Sequence, residues 1–225
     1  MCVFGYHAVY EQSFSTAIRL ARKFKFDYVQ FDLGVPTFYV TGLSRYEIRS
    51  IRSAADSEGV FVTFHAPGDC LSIGIDTPSV RDAVIEHFTR VLDVANELGS
   101  HHVTFHMGGI PSFVAATGDV TDYSTVHGQH YLSVLSEDLG RLSDVAGSVL
   151  IAIENYRLKP LHLLALAPFL SGSTPIRLCM DVAKLYTADK KLDLSDWAFF
   201  TANRLKVSEL HLHNSAESSH RPLYE

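Results

Sequence analysis

The chain has 225 residues, 47% of them hydrophobic and 20% charged, with a formal net charge of −6, a composition ordinary for a soluble globular protein. No apolar run approaches the ~18 residues of a membrane span, and the acidic balance argues against a nucleic-acid partner, because surfaces that neutralise phosphates are usually basic. The start, MCVFGYHAVY, has no basic segment leading into a long apolar stretch, so no signal peptide is expected and a cytoplasmic location is the default.

The elements follow in order. A first short strand is expected over residues 2–6, then a helix whose apolar stripe is Phe14, Ala17, Ile18, Ala21 and Phe24. The second strand, 28–33, carries Asp32. Ile48, Ile51 and Ala55 make a weaker helical stripe between Ser44 and Glu58. The third strand, 60–65, ends on His65. Thr77 as N-cap and Pro78 in the first turn open a helix with Val80, Val84, Phe88, Val91, Ala95 and Leu98 on one face, stopped by Gly99. The fourth strand, 102–106, ends on His106. Tyr131, Leu132, Leu135, Leu139, Leu142 and Val145 mark the next helix, stopped by Gly147. The fifth strand, 149–154, ends on Glu154, and a helix is expected over 161–170. The sixth strand, 176–181, ends on Asp181, followed by a helix over 197–203 and a seventh strand, 207–213, holding His211 and His213.

Apolar strands separated by helices read as a parallel sheet covered on both faces. About seven βα repeats in this length fit an α/β fold of the (β/α)8 TIM barrel type, in one domain over 1–225. The rival is a doubly wound open sheet, which usually has a glycine-rich phosphate loop after its first strand. Here that stretch reads GYHAVYEQS. Seven strands do not close the barrel, so the chain is expected to lack its last β/α unit at the C-terminal side. Open sheet edges pair readily with other chains, which leaves room for a homo-oligomer.

The strand ends carry the chemistry. In a βα barrel they open onto one face, and that face holds the active site. Glu154 follows five apolar residues, and a carboxylate buried there unpaired is costly. A metal, a substrate proton or a rim salt bridge each accounts for it. Asp181 repeats the pattern on the next strand, and two carboxylates so close call for a cation. His65 in FHAPG and His106 in FHMGG are each followed within three residues by glycine. Either is a hydrogen-bonded structural residue if alone; beside Glu154 and Asp181 they complete a mixed N/O set suited to a divalent metal, Mn, Zn, Mg, Co or Fe. The chain has 12 histidines. His211 and His213 stand two apart and share a strand face. Lys184 could bind a substrate phosphate or carboxylate, polarise a carbonyl, or be solvated. Asp32 reads as a rim salt bridge or a substrate hydroxyl ligand, and His7 is open in the same way. Cys179, within an apolar strand, reads as a buried free thiol.

The segments FHAPG, FHMGG, IENY, MDVAK and HLHNS, in this order and at this spacing, resemble the xylose-isomerase-like TIM barrel superfamily, which includes sugar isomerases, epimerases and endonuclease IV-type abasic-site nucleases. The resemblance runs over nearly the whole chain. It implies Glu154, Asp181 and His211 as three of four ligands of a central metal, the fourth being a glutamate beyond Glu225. His65 and His106 match histidines that hold a second metal in the nuclease branch, where Glu154 would bridge. Lys184 and Ser218 replace ligands of that branch's third metal, of which His220 remains, and Asn214 replaces an aspartate common after the seventh strand. These departures and the acidic charge point away from a three-zinc nuclease.

The implied function is a metal-dependent isomerase or epimerase of a small sugar or hydroxy-ketone, in carbohydrate metabolism. The metal would stabilise an enediolate and Glu154 would move the proton α to the carbonyl. Lys184 is the second catalytic candidate, and His213, Asn214, Asp32 and His7 are the substrate-binding candidates. The alternatives are an endonuclease IV-like metallohydrolase of phosphodiesters and a non-catalytic metabolite-binding barrel.

Overall fold

The computed structural model describes residues 3–68, 71–116, 123–186 and 191–213. Its strands are β1 (Gly5–Ala8), β2 (Tyr28–Asp32), β3 (Phe61–His65), β4 (His102–Phe105), β5 (Leu150–Glu154), β6 (Ile176–Asp181) and β7 (Val207–His211). They form one parallel sheet in sequential order β1-β2-β3-β4-β5-β6-β7. The helices are α1 (Phe14–Lys23), α2 (Arg45–Glu58), α3 (Pro78–Leu98), α4 (Ser112–Ala115), α5 (Val126–Val145), α6 (Pro160–Ser171) and α7 (Leu194–Ala202). Among the described residues the sheet curls into an open (β/α) barrel of seven strands. Among the described residues β1 pairs only with β2 and β7 only with β6, so the curl stays open between them. No helix among the described residues is long and apolar enough to cross a membrane.

Strand alternation divides the side chains into two sets. One faces the helices and builds the core. Phe31 of β2 meets Phe14 of α1 at 4.7 Å between ring centroids and Phe38 at 5.0 Å, and Phe88 of α3 meets Phe105 of β4 at 5.1 Å. Rings at these edge-on and tilted geometries bury large apolar area, and that burial holds helix to sheet. The other set faces the barrel interior. Its lower members, Gln30, Thr104 and Glu209, are joined to each other by hydrogen bonds.

Several expected boundaries move. β1 spans Gly5–Ala8 rather than 2–6, and residue 2 lies outside the described residues. Its start is set by pairing: Gly5 stands opposite Tyr28, and a side chain at Gly5 would overlap the Tyr28 ring. β7 ends at His211, so His213 lies beyond the paired strand. Phe24 falls just past α1 and is 60% exposed, and Val80 of α3 is 45% exposed. Thr77 makes no side-chain cap; Pro78 alone sets the first turn of α3. Four-residue α4 is too short to show a periodic stripe. α3 ends as expected on a left-handed glycine, Gly99 at φ 73°, and α2 ends likewise on Gly59 at φ 63°, whereas α5 is capped by Ala146, one residue before Gly147.

Candidate metal and substrate site

The β-sheet register brings the strand-end residues together. His65, Glu154, Asp181 and His211 are the last residues of β3, β5, β6 and β7, and His106 follows β4 directly. One oxygen of Glu154, Oε2, lies 3.1 Å from His65 Nε2, 3.2 Å from His106 Nε2 and 3.3 Å from His211 Nδ1. Glu154 is 2% exposed. Burial alone would favour its neutral acid, but hydrogen bonds from His106, His211 and His65 hold it far below the ordinary carboxylate range. His65 donates Nδ1–H to the carbonyl of Ala66 at 3.0 Å, which leaves Nε2 aimed at Glu154. Burial opposes the charge on His65, yet the hydrogen bond and charge of Glu154 raise its pKa above the usual value.

Asp181 has different partners. Its Oδ2 accepts from His213 Nε2 at 2.8 Å, and its Oδ1 accepts the backbone N–H groups of Ala183 and Lys184 at 2.9 and 3.3 Å. The two carboxylates are therefore separately satisfied, each by histidine. Asn155 clamps their strands: it accepts the N–H of Asp181 at 2.6 Å and donates to the Asp181 carbonyl at 3.0 Å. Glu154 thus faces the site while the next residue locks β5 to β6.

The remaining candidates spread around this centre. His7 Nε2 is 3.6 Å from Asp32 Oδ2, and the His7 ring is 5.7 Å from His65 and 6.2 Å from His211. Although the His7 side chain is 40% exposed, the protein packed around it and the charge of His65 lower its pKa to about 4. Lys184 Nζ lies 5.2 Å from the centroid of the Tyr156 ring, which stacks on His106 at 4.4 Å. Asn214, Ser218 and His220 lie outside the described residues. Cys179 is a buried free thiol, and burial pushes its pKa up. The strand-end residues, with His7, Asp32, Lys184 and Tyr156, line a cavity of ≈ 2330 Å³ that also takes in Gln30, His102 and Glu209 deeper in the barrel and residues of β1 and β7. Ligand pockets are usually about 300–1,000 Å³, and the open side accounts for the excess.

The sequence pattern does not single out Glu209 or Tyr156. Glu209 was findable: it shares the parity of His211 and His213 in VSELHLH. Tyr156 was not, because its role depends on the loop after β5.

The ligand atoms of His65, Glu154 and His211 all lie within 4.8 Å of one another. A tetrahedral cation with bonds of about 2.0–2.1 Å places its ligands roughly 3.3 Å apart, which the separations of 3.1 and 3.3 Å from Glu154 match. The donor set therefore fits a divalent cation. It also fixes how the metal-free site responds to pH. His65 has a raised folded pKa, so its contribution is complete below 6.5 and is lost as pH rises through the folded value. Glu154 has a depressed one, so its contribution is complete above 4.5 and is lost as pH falls through the folded value. The pair stabilises most between 4.5 and 6.5. A metal competes with the imidazole protons, so its stabilisation should grow with pH. Melting curves with and without Zn²⁺ should diverge as pH rises from 6 to 8; a constant gap would sink this assignment of the protons.

A family model described as the xylose isomerase-like TIM barrel matches residues 18–224. Among solved structures, a D-psicose 3-epimerase determined in the presence of D-fructose superposes with a TM-score of 0.70 at 17% identity, covering 95% of this chain and 74% of that one. The 3-keto-D-glucoside 4-epimerase of E. coli gives 0.67 at 14% identity, covering 96% and 82%. Endonuclease IV of Thermus thermophilus gives 0.66 at 18% identity, covering 96% and 78%. At these identities the likeness shows the fold. Comparison with curated proteins gives no match.

Proposed function

The chain belongs to the xylose isomerase-like TIM barrel family, and on that premise we propose that it is a divalent-metal-dependent isomerase or epimerase of a small sugar or hydroxy-ketone. The observation that carries the reading is Glu154, a buried carboxylate at a strand end with three imidazoles on one oxygen. His65, Glu154 and His211 would hold the cation, and Asp181, which accepts from His213 here, would be a further ligand. The cation supplies Lewis acidity toward a carbonyl and the hydroxyl beside it. Glu154, held ionised by the cation, would take the proton from the carbon next to that carbonyl. Lys184, Asp32 and His7 line the same cavity and hold the other substrate oxygens. Tyr156, stacked on His106 with Lys184 over its ring, steadies both of these side chains at the cavity wall.

A second reading has one observation in its favour. His106 shares the Glu154 oxygen with His65, an arrangement suited to a carboxylate bridging two metals in a phosphodiester hydrolase. Lys184 in place of a histidine and the net charge of −6 weigh against it.

The test loads the metal-free protein separately with Mn²⁺, Co²⁺, Zn²⁺ and Mg²⁺. Each form is incubated with ketohexoses and ketopentoses in D₂O, and exchange at the carbons flanking the carbonyl is followed by NMR. In parallel each is offered an abasic-site DNA duplex. Metal-dependent deuterium incorporation supports the proposal. Strand cleavage without exchange would replace it with the second reading.

A further inference from the structure

Beneath the site, the carboxylate of Glu209 is 2% exposed and reaches across the barrel interior. Gln30 Nε2 of β2 donates to its Oε1 at 2.8 Å, and the Thr104 hydroxyl of β4 donates to its Oε2. His102 Nε2 and His211 Nε2 approach Oε1 at 3.0 and 3.3 Å, without hydrogen-bond alignment. A barrel interior is commonly filled by branched apolar side chains, and a buried ion pair is weak evidence for stability. Packing therefore gives no reason for a carboxylate here.

The second nitrogens of the metal-facing histidines do give one. A histidine that ligates a metal through one ring nitrogen is held by a hydrogen bond from the other to a carbonyl or carboxylate. His65 meets this through the Ala66 carbonyl. His211 turns Nδ1 to Glu154 and Nε2 to Glu209. His106 Nδ1 is buried with no hydrogen-bond partner, and His211 Nε2 makes no aligned hydrogen bond either, Glu209 Oε1 at 3.3 Å being the carboxylate within its reach.

We propose that Glu209 is a positioning residue, anchored by Gln30 and Thr104 so that it fixes the His211 ring with Nδ1 presented to the metal. This rests on the metal-dependent reading above. One rival lies on the same residues: the ligand atoms of Cys179, Glu209 and His211 are also within 4.8 Å of one another, so a cation bound lower in the barrel would make Glu209 a ligand.

The experiment titrates Co²⁺ into the metal-free wild-type chain, Glu209→Gln and Glu209→Asp, following calorimetric affinity and the visible absorption of the bound ion. Glu209→Gln keeps the shape and removes the charge; it should weaken Co²⁺ binding by about 10–100-fold and shift the visible bands. Glu209→Asp keeps the charge and should recover part of the loss, which a merely structural role would not show. Should Glu209→Gln fail to fold, Glu209→Asp against wild type carries the test, with a smaller loss expected. Wild-type affinity and spectrum in either folded variant would overturn the inference. A thiolate-to-cobalt band in the wild type that Cys179→Ser abolishes would overturn it too. A wild-type chain that binds no Co²⁺, Zn²⁺ or Mn²⁺ would overturn both this inference and the functional reading. Tight wild-type binding with an indifferent Glu209 would overturn this inference alone.

Discussion

Replacing Glu154 by glutamine is expected to lower turnover by at least about a hundredfold, the low end of what a positioned proton-transfer group contributes, and to weaken divalent-metal binding in step. The geometry makes the carboxylate charge central. Three imidazole nitrogens at 3.1 to 3.3 Å converge on Oε2, and one negative charge serves all of them. An amide keeps the shape but offers the cation no charge and the substrate no base. In the metal-free protein His65 then loses the partner that raises its pKa, so it should titrate lower, and the stability present between 4.5 and 6.5 should fall. Calorimetric metal titration, deuterium-exchange rates and melting at pH 5.5 check the three consequences separately. Undiminished exchange in a folded, metal-loaded Glu154→Gln protein would remove Glu154 from proton transfer.

Asp138→Ala is expected to destabilise the fold by about 3–5 kcal/mol, the cost of leaving a buried charge without its partner. Asp138 on α5 is 1% exposed and accepts from Arg81 Nε of α3 at 2.8 Å and from the N–H of Gly74 at 3.2 Å. Burial raises the Asp138 pKa even against the pull of Arg81, so the pair gains little over an apolar contact of the same shape. Losing one half is a different matter. Arg81, whose side chain is 18% exposed, would keep only Glu137 and the Val134 carbonyl. For a chain of this size each kcal/mol moves the melting point by about 2–4 °C, so a drop on the order of 10 °C should be seen. The double replacement Arg81→Met, Asp138→Leu should recover most of it; an equal loss in the double variant would show that the pair itself is stabilising.

How much could be read in advance differs by element. β2 and β6 lie almost where the sequence pattern puts them, because every second residue, Val29 and Phe31 in one and Ile176 and Leu178 in the other, is apolar and fully buried in the core. β1 shifted toward its C-terminal side because its limits depend on Tyr28 of another strand, and no local pattern encodes that. Glu209 was marked by its parity with His211, but a carboxylate between serine and leucine looks like an ordinary exposed residue until the interior of the barrel is known.

The sequence by itself determined the kind of chemistry available: alternating strands and helices, and a histidine or carboxylate ending most strands. These are local properties of short segments, set by burial and side-chain alternation. Only the tertiary structure decided the partnerships. Sheet register and curl, which depend on contacts between distant segments, put three histidines from β3, the β4 end and β7 on Glu154. The same curl left Asp181 to His213 and a backbone turn, and carried Glu209 beneath His211.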